Sequence, residues 1–293
     1  MPELPEVEAL ALDLKGRLRD RAITKIHLVQ FSALKTYDPP LSALEGTLVD
    51  DVRRHGKFLD LEASGVHLVL HLARAGWVRW RDEVPAVPPR PSTKSTLAAR
   101  VVLDDPSTGS GEAGLDITEA GTKKSLALYV VNDPQDVPGI ATLGPDPLTD
   151  DFTKERLREI LAAQGKKQIK GVLRHQGTIA GIGNAYSDEI LHTARMSPFK
   201  PADLTDDELA VLYDAIRTTL TDAVERSRGL AASELKGEKK SHLAVHGRTG
   251  LPCPVCGDTV REVSFADSSL QYCPTCQTGG KPLADRRMSK LLK

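Results

Sequence analysis

The sequence predicts an α+β chain of several domains: a β-sandwich entered through an N-terminal helix, a helical second half, and a four-cysteine ribbon near the C-terminus. Three observations carry this. Between residues 23 and 131 the apolar pattern comes in short β-rich runs broken by Gly, Pro and Asp. Beyond Gly144-Pro145-Asp146-Pro147 the period becomes helical. Cys253-x2-Cys256-x16-Cys273-x2-Cys276 has the ligand count and spacing of a tetrahedral zinc site. A chain of 293 residues suits two domains with a small appendage. The boundaries read as 1–143 for the sandwich, 144–245 for the helical domain, 246–280 for the ribbon and 281–293 for a basic tail.

The N-terminal helix follows from Val7, Leu10, Leu14 and Leu18 at helical spacing, with Glu8, Asp13, Lys15 and Arg17 on the other side. It opens on Met1-Pro2-Glu3-Leu4-Pro5-Glu6. Pro2 is small enough a second residue for Met1 to be removed, which leaves a secondary amine beside the carboxylates of Glu3 and Glu6. A secondary amine condenses with an aldehyde to an iminium that cannot shed its charge at nitrogen, a device of covalent catalysis. On these six residues alone the plainer reading is that Pro2 and Pro5 start the helix.

Strands are expected at residues 23–29, 47–53, 57–62, 66–72, 78–81, 98–103, 115–119 and 126–131. A proline-rich insert at 84–95 and a Gly/Ser-rich insert at 104–114, expected to be mobile, interrupt them. Helices follow at about 151–163, 169–175, 185–193 and 205–226. The third begins directly after Gly181-Ile182-Gly183-Asn184, a turn able to offer backbone N–H groups to a phosphate, although most such joints do not. Residues 260–272 alternate enough for a hairpin between the cysteine pairs. Four thiolates close the coordination sphere, so one structural Zn2+ per chain is expected.

Formal net charge is −1, yet Arg226, Arg228, Lys236, Lys239, Lys240 and Arg248 face only Glu234 and Glu238 in their segment. The tail holds Lys281, Arg286, Arg287, Lys290 and Lys293. Basic segments in a neutral chain fit a localised nucleic-acid footprint, and equally fit solvated loops. No apolar run reaches membrane-spanning length and no signal-peptide pattern is present, so no membrane partner and a cytoplasmic, nucleoid-associated location are expected.

Further motifs are Arg54-His55-Gly56-Lys57-Phe58-Leu59, Asn132-Asp133-Pro134, Leu143-Gly144-Pro145-Asp146-Pro147-Leu148, Ile169-Lys170, Gly183-Asn184-Ala185-Tyr186-Ser187-Asp188-Glu189 and Gly247-Arg248-Thr249-Gly250. Together with Met1–Glu8 and the cysteine ribbon, and in this order, they resemble the formamidopyrimidine-DNA glycosylase/endonuclease VIII family of bifunctional DNA glycosylase/AP lyases along essentially the whole chain. The resemblance implies a helix–two-turn–helix second domain and a monomer acting on damaged or abasic DNA in a cleft between domains. It implies Pro2 as the nucleophile on C1′, Glu3 as the general acid and proton shuttle, and Glu6 in support. It further implies Lys57 as a catalytic-site phosphate ligand, with Asn184, Lys170, Arg74 and Arg248 also on DNA.

Three positions depart from the family pattern. The side chain after the His-Leu motif that fills the gap of a flipped nucleotide, often methionine, is Arg74, set between Ala73 and Ala75. The arginine and phenylalanine that usually follow Asp-Pro are absent from Asp133-Pro134-Gln135-Asp136-Val137. The ribbon arginine five residues before the third cysteine is Ser268. Residues 230–244 also lack the pattern that caps an oxidised guanine, so 8-oxoguanine is not expected as the main substrate. The function expected is base-excision repair through a Pro2 iminium with β- or β,δ-elimination. Two alternatives are an AP lyase or a glycosylase of single-stranded DNA or unusual lesions with little 8-oxoguanine activity, and a catalytically silent damage-binding protein.

Overall fold

The computed structural model describes residues 1–105, 111–265 and 268–284. The chain divides into two compact units, Met1–Thr142 with Ser227–Lys236, and Leu143–Arg226 with Gly237–Lys293.

The first unit begins with α1 (Leu4–Leu18), whose buried Leu4, Val7, Leu10, Leu14 and Leu18 form the stripe expected from their spacing. Eight strands follow: β1 (Ile23–Leu28), β2 (Val49–His55), β3 (Phe58–Ala63), β4 (Val66–His71), β5 (Gly76–Arg81), β6 (Leu97–Asp105), β7 (Gly111–Glu119) and β8 (Ala127–Val131). They make two four-stranded sheets, ordered β1-β6-β7-β5 and β2-β3-β4-β8. Every pairing is antiparallel. Alternate residues of both sheets, among them Leu59, Leu61, Leu68, Leu128, Val78, Val101, Leu115 and Ile117, share one core with the buried face of α1. This is the sandwich the short alternating runs predict.

Two expectations shift in detail. Residues 111–114 belong to β7 and 104–105 to β6, because the β6/β7 ladder continues through Asp104↔Glu112 and Asp105↔Gly111. Residues 106–110, where the expected mobility falls, lie outside the described residues. The proline-rich insert is not paired as a strand, yet it is pinned at both ends by Val84 N–H to Glu112 O at 3.0 Å and Ser92 N–H to Val29 O at 2.9 Å. A short helix α2 (Pro138–Ala141) follows Asp133-Pro134. Its Gly139 leaves room for Phe58, whose ring would lie 2.5 Å from a Cβ there.

The second unit holds α3 (Lys154–Ala162), α4 (Ile169–Arg174), α5 (Asn184–Thr193), most of α6 (Asp206–Ser227) and part of α7 (Leu235–His242). α3 starts three residues later than the sequence pattern suggests because the Thr153 hydroxyl accepts the Arg156 N–H and caps it there. α7 is not expected from sequence. Gly237 weakens its helical pattern. Its first residue, Leu235, is fully buried in the core of the first unit, so packing overrides local preference there. The same packing puts Ser227–Lys236 with the first unit rather than with the helical segment: Ala232 enters that core, and Trp77 Nε1 donates to Ala232 O at 2.9 Å. The ribbon consists of β9 (Arg261–Ser264), β10 (Ser269–Tyr272) and a short α8 (Pro274–Thr278). Among the described residues no helix is long and apolar enough to cross a membrane.

Candidate active site and metal centre

In the first unit Pro2 is buried and Glu3 is the N-cap of α1. Glu3 and Glu6 stand in the capping-box arrangement, with the Glu3 N–H donating to Glu6 Oε2 at 2.9 Å. They are 3% and 2% exposed, so two carboxylates are held in a desolvated corner at the positive end of a helix. Proline at the start, an acid at the cap and an acid three residues on together make the local structure, and they fix Glu3 next to Pro2.

Lys57 is the second residue of the β2–β3 turn, between the paired His55 and Phe58. Gly56, the first, takes φ +56°, the left-handed conformation glycine reaches without strain. Arg54 braces this turn. Its Nε lies 2.6 Å from Glu8 Oε2 on α1 and its Nη1 donates to Gly56 O at 3.2 Å. One guanidinium thus joins the helix of Pro2 and Glu3 to the turn of Lys57. Lys57 is 6% exposed. Burial, and after it the Lys57 charge, holds the His71 imidazole below its usual range. The His71 ring in turn packs against Phe58, tilted by 39° with 4.7 Å between ring centroids.

Arg74 is exposed on the turn between β4 and β5. The turn is closed by Gly76 N–H to Leu72 O at 2.8 Å, and a Cβ on Gly76 would lie 2.1 Å from that oxygen. On β3, Asp60 is 1% exposed and accepts from His55 Nε2 at 3.0 Å and His67 Nδ1 at 2.9 Å.

In the second unit Asn184 begins α5 after Gly183. Its Nδ2 donates to Ser269 O on β10 at 2.7 Å, while Oδ1 is buried without a hydrogen-bond partner among the described residues. Lys170 faces inward. Its Nζ donates to Asn184 O at 3.1 Å, Ser187 Oγ at 2.7 Å and Asp188 Oδ1 at 2.6 Å, and it is 5% exposed. The structure therefore sets Lys170 beneath the Asn184 turn, in a buried ion pair, and not on an open surface. Arg248 is half-buried, donates through Nη2 to Pro252 O at 3.3 Å, and keeps Nε buried and unpaired among the described residues.

The sequence reading misses the residues that seat the ribbon on α5. Asp188 Oδ2 meets His246 Nδ1 at 2.7 Å and the Gln271 N–H at 3.2 Å. Glu189 accepts the backbone N–H groups of Ala244, Val245 and His246 at 2.7, 3.0 and 2.8 Å. His192 Nε2 lies 3.3 Å from Cys253 Sγ. The available signal was the spacing of Asn184, Asp188 and His192, which puts them on one face of a helix.

The four cysteine sulfurs lie within 4.8 Å of one another. Cys253–Cys276 is 3.9 Å and Cys256–Cys273 is 3.3 Å. Tetrahedral zinc with Zn–S bonds of about 2.3 Å needs sulfurs about 3.8 Å apart, so the residues fit the ion. Burial pushes the Cys273 thiol up to about 11, so four thiolates here need a cation to hold them. With Cys253 and Cys273 buried, Zn2+ would be held by all four side chains in a closed, structural site.

The family models described as "Formamidopyrimidine-DNA glycosylase N-terminal domain", "Formamidopyrimidine-DNA glycosylase H2TH domain" and "Zinc finger found in FPG and IleRS" match residues 1–110, 143–234 and 250–279. The formamidopyrimidine-DNA glycosylase of Symbiobacterium thermophilum is 34% identical over 300 residues, covering 98% of this chain and 93% of that protein. An uncharacterized formamidopyrimidine-DNA glycosylase-like protein of Mycobacterium tuberculosis is 62% identical over 152 residues, 52% of this chain and 94% of that protein. The crystal structure of the Lactococcus lactis enzyme, non-covalently bound to DNA containing an AP site, superposes with a TM-score of 0.79 at 26% identity, covering 94% of this chain and 99% of that one. The chain belongs to the formamidopyrimidine-DNA glycosylase family.

Proposed function

We propose that this chain is a base-excision repair enzyme of the nucleoid, acting as a monomer on damaged or abasic DNA through the secondary amine that Pro2 gains once Met1 is removed. The observation that carries the reading is the pair of buried carboxylates at the start of α1, with Glu3 beside Pro2 and held there by Glu6. The nitrogen lone pair of Pro2 adds to C1′ as the bond to the base breaks, and Glu3 protonates the ring oxygen so that the sugar opens to an iminium. Removal of a C2′ proton then expels the 3′ phosphate, and water releases the sugar remnant from Pro2. Reaching C1′ requires the nucleotide to leave the stack. Lys57 and Asn184 supply cationic and amide contacts to the flanking phosphates, and Arg248 a further contact. Lys170 serves this site by holding Asn184 and Asp188 in place.

Borohydride reduction on abasic DNA tests the reading. Protein lacking Met1 gives a covalent adduct and Pro2→Gly gives little or none; absence of an adduct with the processed wild type defeats it, and persistent DNA binding without cleavage would point instead to a silent damage-binding protein. A second version, an AP lyase or a glycosylase of single-stranded DNA, is favoured by the exposed Arg74 on its turn and by Gln135 and Asp136 in the short helical turn after Asp133. A panel of oxidised pyrimidines, formamidopyrimidine and 8-oxoguanine in single and double strands separates the versions, and strong excision of 8-oxoguanine opposite cytosine rules the second one out.

A further inference from the structure

One face of α5 carries Asn184, Asp188 and His192 at successive turns, and each touches a different part of the ribbon. Asn184 Nδ2 reaches Ser269 O, Asp188 reaches the Gln271 N–H and His246, and His192 Nε2 reaches Cys253 Sγ at 3.3 Å. His192 is 6% exposed and Cys253 is 2% exposed, so this contact is shielded from water. We propose that His192 is a positioning residue of the zinc site, donating Nε2–H to the Cys253 sulfur and making zinc retention depend on α5.

The chemistry fixes the direction of the bond. A zinc-bound cysteine is a thiolate, which accepts and cannot donate, so the ring nitrogen that faces it carries the proton. Such an N–H removes part of the negative charge that four thiolates leave around one Zn2+ and holds one of them in the orientation the metal needs. Cys253 is already fixed on its main chain, where its N–H donates to Asp258 O at 2.8 Å and its carbonyl accepts from Gly257 N–H at 2.9 Å. His192 adds the side-chain constraint. Because the same helix starts at Asn184, an imidazole at one end and an amide at the other bind the metal centre and the candidate phosphate turn into one element. This role is independent of the chemistry proposed at Pro2.

The test follows release of zinc from the full-length, zinc-loaded protein to a chromogenic chelator, for wild type, His192→Phe and His192→Gln. The phenylalanine variant fills the space without a donor; the glutamine variant keeps an N–H. Release from His192→Phe is expected to be about tenfold faster or more, with His192→Gln close to wild type. Equal release from wild type and His192→Phe overturns the proposal. If His192→Phe does not fold, wild-type protein loaded with cadmium-113 answers the question by NMR: a scalar coupling between cadmium and the His192 Nε2 proton supports the bond, and its absence in an assigned imidazole spectrum refutes it.

Discussion

Arg54 Nε lies 2.6 Å from Glu8 Oε2, and the same guanidinium reaches Gly56 O. The Arg54 side chain is 7% exposed and the Glu8 side chain 28%, so the pair is partly removed from water. Replacing Arg54 by methionine keeps the stem and removes both bonds. The loss expected is about 1.5–3 kcal/mol, the range for charged hydrogen bonds. It should also slow borohydride trapping on abasic DNA more than it weakens DNA binding, because Lys57 loses its brace. Urea unfolding and single-turnover trapping measure the two effects; normal trapping in a destabilised variant would show that the brace serves only the fold.

Lys170 and Asp188 form an ion pair in the second unit with side chains 6% and 0% exposed. Removing Lys170 leaves the buried Asp188 with only His246 Nδ1 and the Gln271 N–H as partners among the described residues, a loss of up to about 3–5 kcal/mol. Lys170→Ala should therefore lower the unfolding midpoint sharply even without DNA. An unchanged midpoint combined with weaker DNA binding would instead mark Lys170 as a surface phosphate contact.

Asp116 on β7 accepts from Arg100 Nε at 2.6 Å and Nη2 at 3.0 Å, and from Arg81 Nε at 2.7 Å. Burial alone would raise its carboxyl, but the two guanidiniums outweigh it and hold the group below its usual value. The folded state therefore binds this proton less tightly than the unfolded chain. The stability Asp116 contributes is complete above the ordinary aspartate value of about 3.9 and is lost as pH falls through the lower folded value. The stability gap between wild type and Asp116→Asn should be constant from about pH 7 to 5 and narrow below about pH 4, measured by denaturant unfolding at each pH. A gap that stays constant down to about pH 3 would contradict the ion-pair account.

Trp77 holds the Ser227–Lys236 segment on the first unit through its Nε1 bond to Ala232 O and through its ring, over which Lys236 Nζ sits 4.4 Å from the centroid. Burial, and then the nearby Arg79 charge, lowers the Lys236 ammonium from its usual range. Trp77→Ala is expected to cost about 3–5 kcal/mol. Trp77→Phe should cost about 1 kcal/mol while freeing the segment locally. Proteolysis or amide exchange within residues 228–236 should rise in the phenylalanine variant; unchanged protection would show that the burial of Ala232 and Leu235 is enough to hold the segment.

How much of this was legible in the sequence depends on the range of the interaction. The Leu10–Leu14–Leu18 spacing, the strand runs and the cysteine pairs are local patterns, and the structure realises them. Lys57 and Asn184 are candidates because motifs flag them. Lys170 was read as a DNA contact, because nothing near it in sequence shows that Asp188 will lie 2.6 Å away. α7 was missed because its anchor is the core of a sandwich that ends well before it in the chain. Arg54 and Glu8 both sat inside recognised motifs, yet their contact joins residues 46 apart and only the fold reveals it.

The β4–β5 turn has a further consequence. Its shape is set by backbone: Gly76 packs against the Leu72 carbonyl, and Ala73 takes the left-handed φ of +49°. Among the described residues, the backbone bond from Gly76 N–H to Leu72 O closes the loop, and the Arg74 side chain is exposed. Position 74 is thus an interchangeable fitting on a rigid mount. Changes there alter the exposed surface of the turn with little effect on its fold, while the glycine two residues on is closed to substitution.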